Sequence, residues 1–528
     1  MKRRLGAIAG GLLASVLWFG PSWAATTFKW ANDGDVGAMD PYTREETVQL
    51  SFLGNIYEPL IRRDAQLKLQ PALATSWEEI NPTTWRFHLR HGVKWQDGSP
   101  FTADDVVFSF NRIMSKTSVM RDVMASVKDA KKIDDYTVDF EMKHIDPIFP
   151  QEQSNLLIVS KAWMTKHGAV DPVIIGGTAD NYAVHNAMGT GPYRLVSREP
   201  DHRTVVEKNP TWWDKNPSNA DRVEFDVINN ASTRVAALLS GEEDMIYSVP
   251  VQDMPRIAHA PGLKLIEHPE LRTIFLGMDQ IDPELKDSNV KGKNPLKDVR
   301  VRRAFALAID ENLIAKVIMR GLAHPSWEMW GPGVNGYNPK LDVRPTANPA
   351  ESKKLLAEAG YPNGFSLGMD CPDDRYVMDV QICTAVVSML AKVGVKVALN
   401  AQTKTKFFAK ITAPRFDTDF YLLGWTPATY DAENTLFALL GSRNGVRGNV
   451  NAGGYSNPEL DKLIAEIGSE NDQAKRIDEI NQSIKLIQDQ VASIPLHQQV
   501  IVWATKKNVS VVQTADNNFQ FRFIKMGQ

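Results

Sequence analysis

The chain has 528 residues, with 60 Lys and Arg against 63 Asp and Glu for a formal net charge of −3, and an ordinary hydrophobic content of 43%. That balance excludes the strongly basic surface that binds nucleic acid or anionic membrane, and the length exceeds what one core usually holds, so two or three domains are expected. Two cysteines without paired histidines make a poor zinc site.

Residues 1–24 begin with Lys2, Arg3 and Arg4, run apolar from Leu5 to Phe19, and end on the small-residue exit Ser22-Trp23-Ala24. This is the pattern of a cleavable secretory signal, and the apolar run falls short of the roughly 20 residues that span a bilayer. An uncleaved anchor is the weaker alternative. With no cysteine near the cleavage point to take a lipid, a periplasmic protein beginning near Ala25 is expected, its net charge −6 once the three basic residues leave.

Early strands alternate strictly. Trp85/Phe87/Leu89 and Tyr136/Val138/Phe140/Met142 each read as half-buried sheet, the second after a turn-like lead-in from Lys131 to Asp135. Later segments alternate strand with helix. Asn348-Pro349 opens a helix that Gly360 and Pro362 close, with Leu355 and Leu356 inward. Ser366 to Met369, Met378 to Val393 and Val395 to Leu399 spell strand, helix and strand, a βαβ unit with a parallel pair. Asn457-Pro458 opens another helix through Leu460, Leu463, Ile464 and Ile467. From Asp472, the spacing of Ile477, Ile480, Ile484 and Ile487 predicts a long amphipathic helix.

The stretch from Leu73 to Asn111 carries an alternating strand, a basic-Gly turn at Arg90 to Gly92, an aromatic-x-Asp-Gly-x-Pro-Phe turn at Trp95 to Phe101, and a helix opening at Thr102 to Val106. It resembles the signature of the peptide-type extracellular solute-binding proteins of ABC importers, family 5. Met188 to Leu195, with Trp212-Trp213 beyond, resembles the return of the chain from an inserted domain, and Val299 to Asp310 resembles the helix that opens the other lobe. The resemblance implies an α/β, two-lobed periplasmic-binding-protein fold of cluster C type, with mixed sheets and an extra inserted domain. After residues 1–24, lobe I would comprise 25–59, 188–272 and 487–528, domain II 60–187 and lobe III 273–486.

Catalytic signatures are absent from the sequence: there is no His-Glu-x-x-His, no Gly-x-Ser-x-Gly and no Walker loop. Gly189-Thr190-Gly191 precedes a proline and reads as a tight turn rather than a phosphate loop. The ten histidines are scattered. No cofactor and no metal are expected, and a binding protein is favoured over a periplasmic hydrolase or chaperone.

Binding candidates fall in three places. Cys371 to Tyr376 follows a strand where open α/β sheets hold ligands. There Arg375 offers a planar fork for a carboxylate or phosphate, as an arginine in this neighbourhood does in peptide-binding relatives, with Asp374 beside it. The alternative is a surface arginine paired with Asp373 or Asp374. Cys371 and Cys383 are either a disulfide, worth about 3 kcal/mol in the chain-entropy picture, or two buried thiols. Tyr421 to Asn434 resembles the family's Gly-Trp loop, with Trp425, Thr426, Ala428, Tyr430 and Asp431 as candidates. Relatives place an amine-binding aspartate three residues after the tryptophan, where this chain has Ala428. Either Asp431 or Glu433 substitutes, or the solute lacks a free amine there. Asp40 to Glu46 resembles an early cleft-facing loop in which Tyr42 is the stronger candidate and Glu45 and Glu46 are either ligand partners or exposed capping acids. The resemblance thus implies a monomer that encloses a short peptide, or a related solute such as an opine, a glutathione-like compound or a sugar-phosphate conjugate, and delivers it to ABC permease subunits.

Overall fold

The computed structural model describes residues 25–44, 46–174 and 179–527. The expected signal segment and Glu45 lie outside the described residues. No helix among the described residues is long and apolar enough to cross a membrane.

One mixed sheet of eleven strands runs through the molecule. Its first half contains Tyr193–Glu199, Arg203–Lys208, Arg222–Val227, Thr27–Asn32 and Met245–Ile246, and its second half contains Phe420–Trp425, Ser366–Pro372 and Lys396–Gln402. Two long antiparallel strands, Leu263–Met278 and Ile494–Lys506, join the halves. Twelve of the thirteen residues of Ile494–Lys506 are buried, so this strand is covered on both faces and its sequence shows no alternation. Trp503 and Val502 at one end pack in the first half, whereas Ile494 and Leu496 at the other pack in the second. The register slips between Pro269 and Thr273, where Pro269 has no N–H for the ladder and Glu270, Leu271 and Arg272 are unpaired with it.

A separate four-stranded antiparallel sheet holds Ala74–Asn81, Thr84–Leu89, Thr137–Met142 and Val127–Asp134. Phe87, Leu89, Val138, Phe140 and Met142 all turn inward, as their alternation predicts. The turn expected from Lys131 to Asp135 is shorter than that reading: residues 131–134 belong to Val127–Asp134, and only Asp135 and Tyr136 form the turn. The strand tolerates its charges because it is an edge strand with solvent-facing partners: Lys131 pairs with Glu141 and Lys132 with Asp104. Asp105 ties the signature segment together, accepting the Thr102 N–H at 3.0 Å and the Trp95 Nε1–H at 3.2 Å.

Helix starts follow their local chemistry. The side chains of Asn348, Asn457 and Asp472 cap Pro349–Glu358, Pro458–Ile467 and Gln473–Asp489, accepting backbone N–H groups of the first turn. Ile480, Ile484 and Ile487 are buried and Ile477 packs against the same core. The βαβ unit consists of Ser366–Pro372, Asp379–Ala391 and Lys396–Gln402, with Ser366 opposite Lys396 in a parallel ladder. At the Gly189 turn, an added Cβ would lie 1.9 Å from the Ile56 carbonyl oxygen, and the Gly191 N–H donates to that same oxygen at 2.8 Å. The two glycines therefore allow one segment to press on another, and their N–H groups are not gathered around an anion.

Candidate functional site

A cavity of about 570 Å³ lies between the two halves, within the range of small-solute sites. Its wall includes Leu50, Met120, Asn155 and Asp516 from one side and Arg375, Trp425 and Phe408 from the other. The loop after the strand Ser366–Pro372 carries Arg375 and Tyr376 to the wall, and the helix Lys404–Ile411, after the parallel strand Lys396–Gln402, carries Phe408 and Ile411.

The Cys371–Cys383 disulfide is formed, with Cα atoms 6.6 Å apart. It joins the end of the strand to the helix Asp379–Ala391, so both flanks of the 372–378 loop are held together. Inside the loop, Asp379 accepts the N–H groups of Arg375 and Tyr376, both at 3.0 Å. The Arg375 guanidinium is exposed and lies 5.2 Å from the Tyr376 ring, with no ion pair to either neighbouring aspartate among the described residues. Its donors face the cavity uncommitted.

Arg272, at the register slip, stands nearby on the wall. Its Nε donates to Thr426 Oγ1 at 3.2 Å, and its Nη2 is 3.4 Å from Glu270. Burial works against the Arg272 charge, but Glu270, Tyr376 and Tyr247 outweigh it and its pKa ends raised. Glu270 is raised as well, by burial, against the attraction of Arg272 and Arg375 and a 3.1 Å hydrogen bond from Gln499. The carboxylates on the cavity wall itself are Asp516 and Glu46, the latter paired with Arg44 at 3.2 Å. One wall therefore presents an unpaired cation, and the opposite one presents anions.

The Gly-Trp loop forms a large part of the boundary. An added Cβ on Gly424 would lie 2.7 Å from the Tyr376 ring, so glycine lets the two ligand-facing loops close on one another. Trp425 lines the cavity and keeps a buried Nε1–H with no acceptor among the described residues. Tyr430, at φ +59°, donates its hydroxyl to Asp516 at 2.9 Å and lies under the Arg63 guanidinium at 3.8 Å. The Ala428 carbonyl accepts from Asn155 at 3.0 Å. These contacts bind the loop to the opposite half.

The structure thus brings Arg375, Trp425, Thr426, Ala428 and Tyr430 together on the cavity wall, along with Glu46. Tyr42 is elsewhere: it is 1% exposed in a hydrophobic core, donates to the Leu157 carbonyl at 2.7 Å, and packs near Arg112, which pairs with buried Asp40. Asp374 is at the surface, accepting the Lys404 N–H at 2.6 Å. Asp431 is fully buried, held by two 2.8 Å bonds from Arg476 and by Asn335 at 2.7 Å. Glu433 is off the wall, and burial together with Asp431 and Asp146 pushes its carboxyl up to about 8. Sequence reasoning passed over Arg272, Asn155 and Asp516, and named Tyr376 only as the end of the Cys371 to Tyr376 stretch. For Arg272 a signal existed, a lone cation inside the apolar run Leu271 to Met278. The others carry none.

Residues 68–446 match the family described as bacterial extracellular solute-binding proteins, family 5 Middle. The dipeptide-binding protein of Escherichia coli (strain K12) is 26% identical over 549 residues, covering 96% of this chain and 96% of its own length. The glutathione-binding protein GsiB of Pectobacterium atrosepticum is 25% identical over 478 residues, covering 89% and 88%. Among solved structures, the ABC transporter-associated periplasmic binding protein DppA from Helicobacter pylori, in complex with peptide STSA, superposes with a TM-score of 0.78 at 22% identity, over 96% of this chain and 99% of that one. The expected α/β fold with mixed sheets is the fold of these periplasmic binding proteins. The chain belongs to the bacterial extracellular solute-binding proteins, family 5.

Proposed function

We propose that the protein is the periplasmic substrate-binding component of an ABC importer, a monomer that encloses a short peptide between two lobes and delivers it intact to the membrane permease. The observation that carries this reading is the uncommitted Arg375 guanidinium facing a cavity of about 570 Å³ whose other wall holds Asp516. A zwitterionic peptide presents a carboxylate to the first and an ammonium toward the second, while side chains fill the space between. The paired long strands are where we place the hinge, with the lobes divided at the register slip and the 60–187 segment as the inserted domain. Binding energy then selects the closed form, because the solute touches both walls only when they approach. The family to which the chain belongs, and relatives that bind a dipeptide and glutathione, support the transport role.

A related solute is the second reading, favoured by Ala428 and by the commitment of Asp431 to Arg476. An opine, a glutathione-like compound or a sugar-phosphate conjugate would need no amine partner there. Calorimetric titration with alanine peptides of two to four residues, free, N-acetylated or C-amidated, separates the two. Free peptide should bind, and amidation or Arg375→Gln should each weaken it by ~10- to 100-fold, since each removes a charge-assisted hydrogen-bonded pair. Equal binding of N-acetylated peptide supports the second reading. If no peptide binds while glutathione does, the peptide reading is lost.

A further inference from the structure

A second cavity, of about 140 Å³, opens beside the main one and shares Leu50, Asn155, Tyr430, Asp516 and Asn518 with it. Its far wall carries Arg62, Arg522, Glu58 and Trp212. Leu50, Pro59, Leu157 and Pro192 also line it, so the charged groups are set into a largely apolar wall. The volume is several times the ~10–15 Å³ that a single water needs, room for a carboxylate or phosphate group.

The polar groups are arranged with a surplus of cationic donors. Arg522 donates from Nε to Gln520 at 2.9 Å and lies 4.7 Å from the Phe523 ring, with no ion pair among the described residues. Arg62 gives Nη2 to Asp214 at 2.7 Å, but its Nη1 is buried without an acceptor. Arg63 adds nothing to the surplus, because Ser154, Leu67 and Gln151 take its donors. Glu58, the carboxyl that faces these arginines, is already held by the Trp212 and Trp213 Nε1–H groups at 3.1 and 2.8 Å. Burial pushes Glu58 up to about 7, so it neutralises less than one full charge near neutral pH. Burial and the neighbouring Arg62 lower Arg522 to about 10, against the attraction of Glu58 and Asp214. Arg62 and Arg522 are both half-buried, and half-buried guanidiniums with donors unused gain from an anion that takes them.

We infer that this cavity is an anion subsite, in which Arg522 and Arg62 take a carboxylate or phosphate group carried by the solute in the adjoining cavity. The inference rests on the transport reading above and narrows it: with Arg375 at the main cavity, the preferred solute bears two anionic groups, as an acidic peptide does. Asp516 and Asn155 line the passage between the two cavities, so the solute turns there.

The test measures two things on wild type, Arg522→Gln and Arg522→Lys, with Arg62→Gln as a second neutralising variant. Calorimetry at constant ionic strength follows inorganic phosphate and glutarate alone, then Ala-Glu against Ala-Gln. Wild type should bind at least one free anion and prefer Ala-Glu by about tenfold, the worth of one charge-assisted pair. Arg522→Gln and Arg62→Gln should bring the peptide ratio close to one and lose the anion, and Arg522→Lys should retain part of both. If peptides fail to bind but the anion response survives and depends on Arg522, the subsite stands and the peptide reading falls. An anion response with no acidic preference means the site takes a free ion, the same chemistry from another source. If wild type shows neither response, or if both persist in Arg522→Gln and Arg62→Gln, the subsite is overturned.

Discussion

Replacing Asp431 by Asn should unfold the protein more easily while leaving its solute affinity close to wild type. Asp431 and Arg476 are both fully buried, joined by two bonds of 2.8 Å, and Asp431 also accepts the Glu433 N–H at 2.9 Å as the cap of Ala432–Thr435. Removing one partner strands the other charge in the interior, at a cost of ~3–5 kcal/mol. For a cooperative unit of about 200 residues each kcal/mol lowers Tm by roughly 2–4 °C, so a fall of at least ~6 °C is expected by calorimetry or circular dichroism. The double variant Asp431→Asn with Arg476→Met should recover much of the loss, because no unpaired charge remains. Titration with a dipeptide that binds wild type completes the experiment. A variant whose Tm is unchanged but whose dipeptide affinity collapses about a hundredfold would refute the reasoning, since that is the behaviour of a carboxylate meeting a ligand ammonium in place of a buried arginine.

Glu328 is 1% exposed, and burial, with Asp342 adding to it, pushes its carboxyl up to about 8. Its folded pKa is above the unfolded value, so the native state holds the proton longer and stability declines as pH rises from about 4.5 to about 8. Glu328→Gln should therefore melt higher than wild type at pH 8 and equal to it near pH 4, and a gap that does not change with pH would contradict this origin. The Cys371–Cys383 disulfide clamps the loop that carries Arg375. Cys371→Ser with Cys383→Ser, or mild reduction, should weaken solute binding at temperatures where circular dichroism still reports a folded chain, because the loop must then be ordered by the ligand. Unaltered affinity after reduction counts against that coupling.

Much of the fold was legible because its signals are local. The caps Asn348, Asn457 and Asp472 act within one turn of themselves, and the Ile480, Ile484 and Ile487 stripe requires only helical geometry. The strand Thr84–Leu89 alternates because one face is solvated; Ile494–Lys506, covered on both faces, carries no such pattern and was not read as a strand. The charged edge strand Val127–Asp134 was misread in part as a turn, since Lys and Asp serve either purpose and the edge position that decides between them is a property of the whole sheet.

For the site, sequence alone pointed to three stretches: the loop after Ser366–Pro372 and the loop after Phe420–Trp425 line the cavity, and of Asp40 to Glu46 the described part that lines it is Glu46. Tertiary structure decided which of their side chains are free. Asp431 and Arg476 are 45 positions apart, and Tyr42 and the Leu157 carbonyl 115, yet each pair is in contact, so groups that looked available are spent inside the protein. Arg375 has no such partner among the described residues, while Asp516 reaches the cavity from near the far end of the chain. Local chemistry writes caps, turns and faces into a sequence, but whether a charge meets solute or a buried counter-charge depends on which distant segment folds against it.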